Sequence, residues 1–275
     1  MNHHMIILNP QWQGSGTTNE IKSGAKTIGH SFSECIDIEI ELPEGDLSTH
    51  NNITGYHSLF TQLNNFRQLI HDHSPKKITT IGGDCSIEMI PVSYLNTLYD
   101  KLAVIWLDAH ADLNTPESSP SKTLHGMPVR FLLGEGDGDL THQLFSTLDS
   151  SQFFYVGLRD MDKAEEEYIH VHQMFRMPEI NYMQLKQKLD ENNFTNLYIH
   201  LDLDVIDPGV FPYTKCPVSE GVMIDDLETL IIQLQNDFEV VGHGICECTA
   251  DNDEQLQPLK NILKLIKDYT IHFNH

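Results

Sequence analysis

Three stretches of this sequence end an apolar run in acids that could hold a cation. In "VIWLDAHADLN", Asp108, His110 and Asp112 are spaced by two. In "YIHLDLDVIDP", Asp202 and Asp204 repeat that spacing, and Pro208 helps to stop the segment. The third stretch, "VVGHGICE", finishes on Glu247. Period-two spacing turns alternate side chains to one side while the chain stays extended. One D-x-D in an acidic chain reads as a solvated strand end. Both motifs together, each at the end of a buried strand, read differently. Carboxylates crowded at the mouth of a sheet need partners or become protonated. Two or more divalent cations resolve the crowding. Carboxylates with one or two imidazoles suit Mn²⁺, with Zn²⁺, Fe²⁺, Co²⁺ and Ni²⁺ as alternatives. A bridged pair of such ions makes hydroxide at neutral pH and holds it against an electrophile.

A fourth stretch, "TIGGDCSIEM", closes a β-branched run with two glycines, an aspartate and Cys85. Glycines there let the backbone turn sharply or approach something closely. Asp84 reads as structural, bonding the turn. Cys85 is open to three readings: metal ligand, nucleophile or packing. The nucleophile is the weakest, because nothing in the sequence marks a dedicated base. His125 opens "LHGMPVRF" and, as the histidine nearest the D-x-H-x-D motif, is a candidate proton shuttle. The other histidines (His3, His4, His30, His50, His57, His71, His73 and most of the rest) read as surface residues. Cys246 and Cys248 flank Glu247 as C-x-C. In a strand they point away from it, which favours core packing. The "GEGDGD" run at Gly134 to Asp139 reads as a solvated turn.

Alternating elements position these motifs. Strands are expected at Met5–Asn9, Cys35–Leu42 (an edge, by its apolar–acidic alternation), Lys77–Gly83, Leu102–His110, Phe153–Leu158, Met174–Met177, Asn196–Val205 and Phe238–Glu247. Helical patterns cover Thr54–His73, Ser86–Tyr99, Asp162–His172, Asn181–Asn193, Ile224–Asn236 and Glu254–Tyr269. This order predicts an α/β fold with a mainly parallel sheet and helices on both faces. Ligands of such sheets bind at the carboxyl ends of the strands, where the acidic motifs fall.

The composition agrees. At 275 residues, 40% of them hydrophobic, and with no low-complexity linker, residues 1–275 read as one domain. A formal net charge of -23 argues against nucleic acid and anionic membranes as partners. No apolar run approaches the ~18 residues of a membrane span. Five scattered cysteines and the lack of a leader pattern predict reduced thiols in a cytoplasm.

In order and spacing, these motifs resemble the ureohydrolase family of arginases and agmatinases, from roughly Lys77 to Thr249. "GGDCS" is similar to the family's G-G-D-H-S, "DAHAD" to D-A-H-x-D and "HLDLDVIDP" to F-D-x-D-x-x-D-P, and "CE" at Glu247 to the late glutamate. "DLNTPESSPSKTLHGMPV" and "VGLRDMDKAE" are similar to the arginase forms of two loops. The resemblance implies a three-layer α/β/α sandwich around a mostly parallel, eight-stranded sheet, often assembled as homo-oligomers (trimers or hexamers). It implies a binuclear Mn²⁺ site. One ion takes Asp108, His110, Asp202 and Asp204; the other takes Asp108, Asp112, Asp202 and residue 85. It further implies attack of a metal-bridging hydroxide on a guanidinium carbon, releasing urea, with L-arginine going to L-ornithine. In that scheme Asp112 orients the hydroxide, His125 moves the proton and Glu247 pairs with the guanidinium. Asn114, Ser119, Ser121, Asp162 and Glu165 read the tail of the substrate.

Several positions depart from the family pattern. The histidine expected at position 85 is cysteine. "SKT" before "LHG" places Lys122 at the mouth of the site, and "CPVSEG" brings in Cys216 and Glu220. Three readings of Cys85 follow: a thiolate ligand that shifts preference toward Zn²⁺ or Fe²⁺, a weakened or empty site, or a chain that binds a guanidino compound without turning it over. Hydrolysis of agmatine, a guanidino acid or a formimidoyl compound is the alternative within the family.

Overall fold

The computed structural model describes residues 4–16, 18–43 and 45–272; His3 lies outside them. In chain order the strands are β1 (His4–Asn9), β2 (Ile38–Glu39), β3 (Thr49–His50), β4 (Ile53–Thr54), β5 (Lys77–Gly82), β6 (Leu102–Leu107), β7 (Phe153–Val156), β8 (Phe175–Met177), β9 (Asn196–Asp202) and β10 (Glu239–Cys246). The α-helices are α1 (Glu20–Ser31), α2 (Tyr56–His73), α3 (Met89–Leu98), α4 (Pro128–Leu132), α5 (Gly138–Thr141), α6 (Lys163–Val171), α7 (Tyr182–Glu191), α8 (Ile224–Asp237) and α9 (Lys260–His272). Eight strands form one sheet in the order β2-β1-β5-β10-β9-β6-β7-β8. Every pairing in it is parallel. The strands β3 and β4 make a separate antiparallel hairpin. Its turn residues, Asn51 and Asn52, both have positive φ, as a two-residue hairpin turn requires.

A parallel sheet is covered on both faces, so its strands read as unbroken apolar runs. Strand β6, "LAVIWL", is buried throughout. Ala103, Ile105 and Leu107 enter a core shared with α1, α7, α8 and α9. Val104 and Trp106 enter the opposite core, with α2, α3 and α4. The helices meet the sheet through stripes at helical spacing, such as Leu227, Leu230, Ile231 and Leu234 on α8. The result is a parallel sheet with helices on both faces, as the element order predicts, and the three-layer α/β/α sandwich that the family resemblance implies.

Helices α1, α4 and α5 and the β3–β4 hairpin are not among the elements expected from the sequence; the other differences lie at element ends. Of the expected strand Cys35–Leu42, only Ile38–Glu39 forms ladder pairs. The N–H groups of Cys35 and Ile36 close the end of α1 on Phe32 O, and the Asp37 carboxylate accepts from Ile6 N. A side chain thus replaces a rung at this edge. The Ser86 helix opens with a 3-10 turn at Cys85–Glu88, and the last helix begins at Lys260 rather than Glu254. Three histidines read as surface residues, His4, His200 and His243, are buried.

Candidate metal centre

The four strands that end in the chemical motifs, β5, β10, β9 and β6, are neighbours at the centre of the sheet. After β5 the chain must pass the backbone of Gln11. A Cβ on Gly83 would stand 1.6 Å from Gln11 O, so only glycine fits. Asp84 then caps the 3-10 turn. It accepts from Ser86 N at 3.1 Å, Gly14 N at 3.0 Å and Gln11 Nε2 at 3.2 Å. Its role in bonding the turn is as expected. Burial, reinforced by Glu247, pushes its carboxyl up to about 6.

That turn delivers Cys85 to the floor of the site. Its thiol donates to Asp202 Oδ2 at 3.0 Å, and its N–H donates to Glu247 Oε1 at 3.2 Å. Asp108 follows β6, accepting from Trp106 Nε1 at 2.9 Å and His110 N at 2.6 Å. His110 Nδ1 stands 3.0 Å from Asp204 Oδ2 and 3.6 Å from Asp108 Oδ1. The chain does not stay extended to Asp112, which has φ +52; the turn aims its carboxylate into the cavity. Asp202 caps a 3-10 turn at Leu203–Val205 by accepting from Asp204 N at 2.8 Å. Asp204 Oδ1 accepts from Ala109 N at 3.1 Å. Glu247, also at positive φ, places Oε1 3.1 Å from His125 Nδ1.

The electrostatics follow from burial. Desolvation, then the charges of Asp204 and Asp108, pushes Asp202 well above the usual carboxylate range. Asp112 is raised by burial and Asp108. Asp204 is pushed up to about 6 by burial and Asp108, with His110 opposing. Asp108 goes the other way: burial would raise it, but hydrogen bonds from His110 and His200 hold it low. Burial also lifts the Cys85 thiol. For His125, burial disfavours the charge, yet Glu247 keeps the imidazole above its ordinary value.

A cavity of about 290 Å³ opens over these groups. Asn114, Ser119, Ser121, Asp162 and Glu165 all line it, as do His125, Asp112 and Glu247. Asn114 Nδ2 donates to Asp162 Oδ2 at 2.7 Å, and Ser121 Oγ lies 2.6 Å from Thr123 Oγ1. Glu165 completes a capping box on α6 and also accepts from Leu113 N at 3.1 Å, so it ties two walls together. Burial pushes it up to about 7. Cys216 lines the cavity. Lys122 does not: its Nζ turns back to Pro116 O at 2.8 Å and Glu117 O at 3.2 Å, so the expected lysine at the mouth is a loop brace.

The donor set suits divalent ions. Asp112 Oδ2 and Glu247 Oε2 are buried with no hydrogen-bond partner. Among the described residues, the ligand atoms of Asp108, His110 and Asp204 lie within 4.8 Å of one another. So do those of Cys85, Asp108, His200 and Asp202. Asp112 is in neither group, whereas His200, passed over in the sequence, is in the second. Its signal was present: it precedes Asp202 by two in a strand and therefore shares its face.

A sequence model described as the arginase family matches residues 12–270. The chain is similar to the arginase of Staphylococcus aureus strain COL, 33% identical over 209 residues, 68% of this chain and 69% of that protein. Its fold is similar to that of Entamoeba histolytica arginase in complex with L-ornithine, with a TM-score of 0.84, 22% identity and coverage of 98% of both chains. It is also similar to the fold of Bacillus caldovelox arginase, with a TM-score of 0.83, 21% identity and coverage of 98% of both. The strand-end acids and the likeness that runs through nearly the whole chain lead to one conclusion: this chain belongs to the arginase family.

Proposed function

We propose that the protein is a ureohydrolase that converts L-arginine and water to L-ornithine and urea. One observation carries this reading. Seven carboxylates and no lysine or arginine line a cavity whose floor is the cluster of acids and histidines. Such a cavity favours a cationic guanidinium over an anionic or neutral ligand. Two divalent ions would be held by Asp108, His110, Asp202 and Asp204 on one side and by Asp108, Asp112, Asp202 and Cys85 on the other. Their chemistry is to lower the pKa of water to near neutrality. Mn²⁺ fits the first, oxygen-rich set.

The chain's own groups do the rest. Glu247 offers Oε2, buried and otherwise unbonded, to the planar guanidinium, while its other oxygen is held by His125 and Cys85 N. His125, oriented through Nδ1, carries a proton to the departing amine. Asp112, on its turn, orients the attacking oxygen. At the mouth, Asn114, Ser119 and Ser121 suit an α-carboxylate, and Asp162 suits an α-ammonium. This polar rim favours arginine over agmatine, which lacks the carboxylate. We further propose a homo-oligomer in a reducing cytoplasm, where the five free cysteines are at home. No helix among the described residues is long and apolar enough to cross a membrane.

The test is direct. The purified protein is assayed for metal content and for urea release from arginine, agmatine and other guanidino compounds, with Mn²⁺, Zn²⁺ or Ni²⁺ supplied. Arginine is expected to give the highest kcat/KM. Absence of urea from every substrate, with every metal, defeats the hydrolase reading.

A further inference from the structure

Behind the site lies a second set of reactive side chains that the proposed reaction does not use. His200 projects from the middle of the sheet, buried, between Cys85 and Glu88. Its Nε2 is 3.7 Å from Cys85 Sγ and 3.8 Å from Asp108 Oδ2. Its Nδ1 faces Glu88 Oε2 at 3.7 Å, and neither of these two buried atoms has a hydrogen-bond partner. The ring is held by Trp106, stacked at a centroid distance of 3.7 Å. Glu88 has its place because residue 244 is glycine: a Cβ there would stand 2.2 Å from Glu88 Oε1. Cys246 Sγ approaches the same oxygen at 3.7 Å.

We propose that Cys85 and His200, with Asp108 and Asp202, form a tetrahedral thiolate–imidazole–carboxylate site for Zn²⁺, and that Glu88 is the positioning residue behind His200. The imidazole absent from position 85 is thereby supplied from β9, two strands away across β10. The inference rests on the hydrolase reading for the companion ion at Asp108, His110 and Asp204, and changes the ligands and identity of the other. Bonds of about 2.0–2.3 Å to a tetrahedral ion separate its ligand atoms by roughly 3.3–3.8 Å. Of the six separations among these four atoms, three are close contacts, and two of those, 3.7 and 3.8 Å, fall at that spacing. The third, 3.0 Å from Cys85 Sγ to Asp202 Oδ2, is that of a thiol hydrogen bond. It lengthens when the thiol proton leaves for solvent and sulfur takes the ion. Thiolate with imidazole selects Zn²⁺ over Mn²⁺. An imidazole ligand whose other nitrogen faces a carboxylate is the arrangement that fixes ring orientation and raises ligand basicity at such sites.

The test uses metal-free, full-length protein titrated with Co²⁺ as a spectroscopic probe and with Zn²⁺. Two ions per chain are expected, with a sulfur-to-cobalt charge-transfer band in the near ultraviolet. Cys85→Ser is expected to abolish the band, and His200→Gln to reduce the stoichiometry from two ions to one. Glu88→Gln is expected to keep the band and weaken Zn²⁺ binding by about 10–100-fold. Absence of the band from the unaltered protein overturns the proposal, as does unchanged Zn²⁺ affinity in His200→Gln. If the variants do not fold, X-ray absorption at the zinc edge of the unaltered protein decides, through the presence or absence of one sulfur at about 2.3 Å. The two readings fail separately. A sulfur band without urea release from any guanidino compound removes the hydrolase and keeps the site; urea release without a sulfur band does the reverse.

Discussion

The pairing of His125 with Glu247 couples binding of the guanidinium to proton transfer. Glu247 holds the imidazole above its ordinary value against the effect of burial. A His125 that must be protonated to serve the leaving amine sets the alkaline limb of the rate profile. In Glu247→Gln this limb is expected to move to lower pH, because the charge favouring the imidazolium is gone; KM is expected to rise as well. In His125→Asn, kcat is expected to fall by about 10²–10⁴-fold with metal content unchanged. Steady-state kinetics across pH, with metal analysis of each variant, checks both. The same residues show how far a sequence can be read. Asp108, His110, Asp112, Asp202, Asp204 and Glu247 were legible because each follows an apolar run that ends a strand. His200 was passed over although its spacing of two from Asp202 put it on the same face, because a lone histidine inside an apolar run does not show whether it serves packing or ligation. Glu88 was hidden within a helical pattern.

At the level of elements, the site depends on close approaches between loops. Arg159 sends five donors to backbone carbonyls: Gly157, Asp204, Val205, Val218 and Ser219. It pins the segment after β9 to the loop that carries Cys216 into the cavity wall. A lysine has three donors and no planar fork. Arg159→Lys is therefore expected to leave carbonyls unpaired and to destabilise the fold by about 2–3 kcal/mol, read as a shift in urea midpoint. The loss of ion binding should exceed what the stability change alone produces. The eight strands of the sheet and six of the helices were readable from periodicity, but α1, the short α4 and α5 and the β3–β4 hairpin were not, nor were the element ends. They are decided by side chains that substitute for backbone partners, as Asp37 does at β2 and Asp162 at α6.

Over the whole molecule, crowded acids make stability depend on ions and on pH. Asp204 and Asp84 are pushed up to about 6 and Glu165 to about 7, while in an unfolded chain each reverts to its ordinary range near 4. As pH rises from about 4 to 7, the unfolded state therefore sheds these protons before the folded state does. Stability of the metal-free protein falls across that window. A divalent ion restores the charged forms of the ligands among them. The gap in Tm between metal-loaded and metal-free protein is expected to widen from pH 4 to pH 7, by scanning calorimetry. Binding must also displace protons from Asp202, Asp112 and Cys85, so ion affinity is expected to climb with pH. Titration calorimetry in buffers of different ionisation enthalpy should show proton release.

The place of β10 in the sheet has a further consequence, for synthesis. It is the last strand to be made, yet it lies at the centre, between β5 and β9. Until Glu239–Cys246 has left the ribosome, β5 and β9 have no common neighbour, and Cys85 is held away from Asp202 and His200. A nascent chain therefore carries the separate halves of a binding site through most of its translation, and the halves meet only near the end. Long-range parallel pairing of this kind is slow to form. Capture of the Cys85 ion thus becomes a late event, coupled to insertion of one strand. Chains arrested just after α8 are expected to lack the Cys85-bound ion, since β6 and β9 already pair directly and carry the other ligands, whereas chains extended past α9 should bind both ions.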